Sequence, residues 1–160
     1  MNSLTSYIEA AAVAALAGTG TFVHDSPELA TLVLNSAMLP AIIYGESVLE
    51  MANTQSRGIT ATVTIYFGAA VPGAGDDYAL DSKTVAAMQL LCNRFIAILD
   101  DPMALTKVES QKYVPFHKAY EAMLSGTGCQ FRLTVPATPL LVRCLPGAAP
   151  VITNMAVAGA

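Results

Sequence analysis

The sequence predicts an α+β fold in which a mostly antiparallel four-stranded sheet, made of two hairpins, packs against helices and is followed by an extended apolar C-terminal arm. Three observations carry this. An Ala-rich segment and a later one repeat apolar residues at helical spacing. Two stretches alternate apolar and polar residues with the period of a strand. The last 23 residues keep neither period.

Leu4, Ile8, Ala11, Ala12, Ala15 and Leu16 fall on one helical face, so a helix is expected over residues 3–16, ended by Gly18-Thr19-Gly20. Ser26-Pro27-Glu28 has the N-cap, first-turn proline and early acid of a short second helix that must stop before Pro40. Residues 39–51 are rich in β-branched and aromatic types and predict a strand with an irregularity at Gly45. After a polar turn at 53–58, Ile59, Ala61, Val63, Ile65 and Phe67 alternate with Thr60, Thr62, Thr64 and Tyr66, the pattern of a half-buried hairpin partner whose Thr side faces outward.

Residues 68–80 hold Pro72, Gly73, Gly75 and Asp76-Asp77 and predict a loop. Asp81 is expected to cap a helix with Val85, Met88, Cys92, Phe95, Ile96 and Leu99 on one stripe, ended by Asp100-Asp101-Pro102. Residues 113–124 and 128–136 predict a second hairpin turning at Ser125-Gly126-Thr127-Gly128. Cys129, Phe131, Leu133 and Val135 face inward, and Gln130, Arg132 and Thr134 outward. These elements make one domain over residues 1–137. Residues 138–160, with three prolines and the single charge Arg143, form an arm whose apolar residues Leu140, Leu141, Val142, Val151 and Ile152 are expected to meet a neighbouring subunit.

Composition narrows function. Charged residues are 12% of the 160, half the usual share, so apolar surface must be tolerated or buried against other chains. A net charge of −4 with scattered basic residues lacks the footprint of a nucleic-acid binder. Cys92, Cys129 and Cys144 have no metal-site or disulfide spacing and read as small core residues. No membrane-spanning segment and no secretory signal are expected.

Catalytic signals are weak. His24 and His117 are far apart in sequence, and no local nucleophile motif accompanies either. Asp76-Asp77 and Asp100-Asp101 read as solvated loop acids, and the methionines as core filler. Gly18-Thr19-Gly20 and Gly126-Thr127-Gly128 read as turns rather than phosphate loops. No catalytic, metal or cofactor residues are assigned.

The order helix, hairpin, helix, hairpin resembles the tail terminator or tail completion proteins of long-tailed bacteriophages. The likeness rests on Leu39-Pro40-Ala41-Ile42-Ile43-Tyr44-Gly45, residues 59–67, the helix over 81–100 and the closing residues 122–136. It implies a non-enzymatic virion protein at the tail or neck, assembled as a ring, most simply a hexamer. Such a ring caps the tail tube and joins it to the head–tail connector, and DNA passes through an acidic channel without specific binding. The competing expectations are a small-molecule-binding α+β protein or enzyme with a pocket between sheet and helix, and a homodimer that exchanges its arms.

Overall fold

The structure, a computed structural model, describes residues 3–27, 30, 34, 38–53, 58–71, 78–119 and 124–136. The chain is α+β, with elements in the order α1 (Ser3–Leu16), β1 (Thr21–His24), β2 (Ala41–Asn53), β3 (Gly58–Ala70), α2 (Tyr78–Leu99), β4 (Lys107–Ala119) and β5 (Leu124–Pro136). The five strands form one mixed sheet in the order β1-β2-β3-β5-β4. Only β1 runs parallel to its neighbour; every other pair is antiparallel.

The four-stranded sheet expected from the sequence therefore gains a strand. Thr21–His24 is only four residues long, too short for a period to declare itself, and it is fixed by pairing with Ala41–Tyr44. Gly20 (φ 85°) delivers the chain to that pairing so close to Pro40 that a Cβ would lie 2.0 Å from the Pro40 carbonyl oxygen. Of the connection from β1 to β2, Ala30, Leu34 and Leu39 lie on the sheet face opposite the helices. Of the helix expected there, the described residues include one turn, in which the Ala30 N–H donates to the Ser26 carbonyl at 2.9 Å. Ala30 packs with Ala41 and Ile43, against Val23, Leu34, Leu39 and Tyr66.

The main core lies between the other sheet face and the two helices. α1 contributes Leu4, Ile8, Ala11, Ala12, Ala15 and Leu16, and its small alanines let it pack closely on α2. It stops as expected. Ala17 (φ 51°) and Gly18 (φ 84°) turn left-handed, the Thr19 hydroxyl donates to the Leu16 carbonyl (2.7 Å), and Arg94 of α2 donates to the Ala15 carbonyl (3.3 Å). α2 buries Met88, Cys92, Phe95, Ile96 and Leu99. The Phe95 ring meets Phe67 of β3 and Phe131 of β5 edge-on, at centroid distances of 5.5 and 6.1 Å.

Residues 61, 63, 65 and 67 of β3, and 129, 131, 133 and 135 of β5, are buried, the inward sets that alternation predicts. β2 shifts register between Tyr44 and Glu46, so Gly45 is the expected irregularity. β3 runs on to Ala70, three residues into the loop expected over 68–80, and three further boundaries differ. α2 begins at Tyr78, which makes Asp81 a residue of its first turn rather than its cap. β4 begins at Lys107, six residues before the expected start, because its polar opening lies at a sheet edge where alternation is not enforced. The third concerns Ser125-Gly126-Thr127-Gly128, which is not a turn but the start of β5; residues 120–123 lie outside the described residues. The glycines serve close approach: a Cβ on Gly126 would stand 1.8 Å from the Phe67 carbonyl oxygen, and one on Gly128 would press the Tyr66 ring at 3.3 Å.

The methionines are not uniformly core filler: Met88 is buried, whereas Met103 is 92% exposed. Asp100 and Asp101 are not loose acids. Asp100 Oδ1 accepts from the Val108 N–H (3.0 Å) and Asp101 Oδ1 from the Met103 N–H (2.9 Å), while the Thr106 hydroxyl donates to the Leu99 carbonyl (2.5 Å), which builds the turn from α2 into β4.

The Gly126 contact is with backbone, which cannot swing aside. Gly126→Ala is expected to destabilise the protein by about 3 kcal/mol, at the upper end of overpacking costs. Gly45→Ala, whose Cβ would find its nearest neighbour at 3.5 Å, should change thermal stability far less. Thermal unfolding of the two variants measures the difference.

Candidate functional site

Three regions of the molecule carry polar or exposed features that could act on something else. The first is a clasp at the start of α2. Asp81, in the first turn where a carboxylate is favoured by the helix dipole, is nearly buried. Its Oδ2 lies 2.7 Å from Nδ1 of His117 on β4, and the Tyr78 ring stacks on that imidazole at 6.2 Å. Ser125 completes the group. Its hydroxyl oxygen accepts from the Lys118 N–H at 2.9 Å. The Ser125 hydroxyl holds the Asp81 carboxyl below its ordinary 3.8, against the opposing effect of burial, and His117 adds to the lowering.

Asp, His and Ser are the residue types of a hydrolytic triad, but the connectivity is not that of one. Among the described residues the imidazole is bonded to Asp81 and not to the Ser125 hydroxyl, and Ser125 is fully buried. The arrangement ties the N-terminal turn of α2 to the β4–β5 hairpin. Alternation in the sequence could not find it, because Asp81 and His117 are 36 residues apart.

The second region is the outer face of β3, β5 and β4, which the helices leave uncovered. Cross-strand register sets Thr62 beside Arg132 and Thr64 beside Gln130. Glu50, standing at a second register shift in β2, reaches across to Arg132 Nε (2.7 Å) and accepts from the Thr62 hydroxyl. An open cleft of about 590 Å³ lies over Glu50, Thr62, Lys112, Gln130 and Arg132. A smaller one of about 280 Å³ adjoins it through Lys112 and Gln130, where Gly128 leaves room beside Tyr66 and Val114. Together they make a shallow trough, polar around Glu50 and Arg132 and mainly apolar beside Tyr66 and Val114. Among the described residues, Phe67, Phe95, Phe131 and their neighbours pack the space between sheet and helix where the alternative reading expects a pocket.

The third region is the two edges of the sheet. Val48 and Leu49 of β2 are each 62% exposed, and Val114 and Tyr113 of β4 are 63% and 39% exposed.

The histidines are kept apart: His24 stacks on Tyr44 at 4.4 Å on β1, one edge strand, and His117 sits on β4, the other. Among the described residues no three His, Cys, Asp or Glu side chains converge on a metal-sized space. Cys92 and Cys129 are buried free thiols. The hydrogen bond to Cys129, with burial, pushes the Cys92 thiol up, consistent with core residues. No described helix is long and apolar enough to cross a membrane. Asp76, Asp77, Cys144 and the interface residues Leu140, Leu141, Val142, Val151 and Ile152 lie outside the described residues.

The clasp sets a pH dependence. Because the Asp81 carboxyl is held below its ordinary 3.8, it contributes stability that is present above that value and is lost as pH falls through the lower folded-state value. Wild type and Asp81→Asn should thus differ most in denaturant midpoint above about pH 5 and converge in strong acid. A gap that widens on acidification would contradict the assignment.

The chain matches no known family model, and no curated protein is significantly similar to it.

Proposed function

We propose that this protein is a structural subunit of the bacteriophage tail-terminator type. It assembles with copies of itself into a ring, hexameric by that resemblance, which caps the tail tube and joins it to the head–tail connector within the virion. It performs no chemistry and uses no cofactor. The observation that carries the reading is the pair of apolar sheet edges. Val48 and Leu49 on one side, and Tyr113 and Val114 on the other, are different surfaces of one subunit. Contacts between unlike surfaces run head to tail and close into rings, whereas a two-fold dimer needs a single patch that matches itself. A net charge of −4 suits a channel that repels passing DNA rather than binding it.

A second reading is supported by the trough over Thr62, Gln130 and Arg132: a binding protein for a small polar molecule. Its openness favours the first reading, since ligand sites usually enclose most of their ligand.

Light scattering over a range of concentrations, with electron microscopy of the largest species, separates the two. Closed rings with an open centre, alone or on added tail tubes, are the expected result. A monomer or plain dimer indifferent to tail tubes overturns the assembly reading and directs the search to the trough. Val114→Asp should weaken assembly at least about tenfold while leaving thermal stability nearly unchanged, as exposed substitutions ordinarily do.

A further inference from the structure

The two edges of the sheet are guarded very differently. β4 carries the features that discourage addition of another strand: Pro115, which has no N–H to donate, lysines at 107 and 112, and two register shifts. Ser110 (φ 54°) and Lys118 (φ 44°) take left-handed conformations at those shifts and break the line of the backbone. β2 also shifts register twice, at Gly45 and Glu50, but with no residue in the left-handed region at either shift. β1 pairs with it only from Ala41 to Tyr44, yet β2 continues to Asn53. Among the described residues, no strand lies against its outer side from Gly45 onward. That stretch contains no proline and no lysine, and it presents Val48 and Leu49 to solvent on opposite faces. Its charges are Glu46 and Glu50, and Glu50 is turned across the sheet to Arg132.

Resting on the assembly reading above, we infer that this edge of β2 receives the C-terminal segment around Leu140–Leu145 of a second copy of the chain, which adds to the sheet as a further strand. Three observations select that occupant. Residues 140–145, Leu-Leu-Val-Arg-Cys-Leu, are a run without proline or glycine bracketed by Pro139 and Pro146. At about 3.3 Å per residue they cover about 20 Å, within the length of the open edge. Charge is complementary, because Arg143 is the one charge of residues 137–160 and the edge carries only carboxylates.

The third observation is where β5 ends. Pro136 pairs with Gly58, at the same end of the sheet as Asn53. To reach the outer side of β2 in its own subunit, the chain would have to pass β3 and β2, three strand spacings or about 14 Å. Residues 137–139 span about that distance only when fully extended, which leaves nothing for the reversal around the hairpin end. The segment can reach a neighbour's edge without that strain. Donor segment and acceptor edge are then different parts of each subunit, a head-to-tail contact of the kind that closes a ring.

Disulfide trapping in the full-length chain tests this, because the arm carries its own thiol, Cys144, while Cys92 and Cys129 are buried. Val48→Cys and Leu49→Cys place a partner thiol on each face of the edge, and Leu90→Cys, on the exposed side of α2, is the control. Mild oxidation with diamide is expected to give thiol-reversible dimers and higher ladders from at least one edge variant. The yield should be at least about tenfold above the control, since docking raises the effective concentration of the two thiols. Adding Cys144→Ser should abolish the ladder. A cross-linked monomer would assign the edge to the chain's own arm and overturn the inference. Rings that form by light scattering and microscopy, yet trap at neither edge position, would overturn the inference and leave the assembly reading standing. A monomer that neither traps nor responds to tail tubes would overturn both.

Discussion

The ladder between β3 and β5 is the constraint on which the rest of the molecule depends. It runs from Gly58 opposite Pro136 to Ala70 opposite Leu124 without a register shift. The neighbouring pairs, β2 with β3 and β4 with β5, each break register twice. Regularity is needed at the centre because both strands bury their inward side chains beneath α2, and a slip of one residue would turn every one of them to solvent. Phe95 sets the helix on that ladder by touching both strands at once. The pairing joins segments far apart in the sequence, with α2 and β4 between them, so the cost of closing that long loop is met by burying an aromatic cluster that no hairpin alone contains.

The irregularities displaced to the outer strands shape the surface. The shift at Glu50 in β2 brings its carboxylate to Arg132 and Thr62, forming one wall of the trough. The shifts in β4 interrupt its outer line, and Lys107 pairs with Glu109 on the same strand at 2.5 Å. The sheet is covered on both faces where β1 meets β2, by the core on one side and the cluster of Ala30, Ala41 and Ile43 on the other. At the other end, among the described residues, it is covered on one face only. An asymmetric body of this kind offers unlike surfaces on its two sides, the property that ring assembly exploits.

Where the structure departs from the local pattern, the cause is a contact that forms only on folding. Ser125-Gly126-Thr127-Gly128 has the composition of a turn because glycine and small polar residues usually mark one. Here the glycines are required by the Phe67 carbonyl and the Tyr66 ring of the adjoining strand, and Ser125 is required by Lys118 and Asp81. Asp81 likewise resembled a helix cap until its partner on β4 was visible. Asp100 and Asp101 carry the same lesson at short range: their carboxylates are held by the N–H groups of Val108 and Met103, which only the folded turn brings near.

The sequence by itself determined the α+β class, the extent of α1, the bulge at Gly45 and the inward residues of β3 and β5. Each follows from local propensity or from a period of 3.6 or 2 that a few consecutive residues declare. Tertiary structure decided the fifth strand, the start of β5, the clasp of Asp81, His117 and Ser125, and the trough around Glu50 and Arg132. These depend on which strands become neighbours and in what register, and no local pattern carries that information, because pairing energy is shared between segments that meet only when the chain has folded.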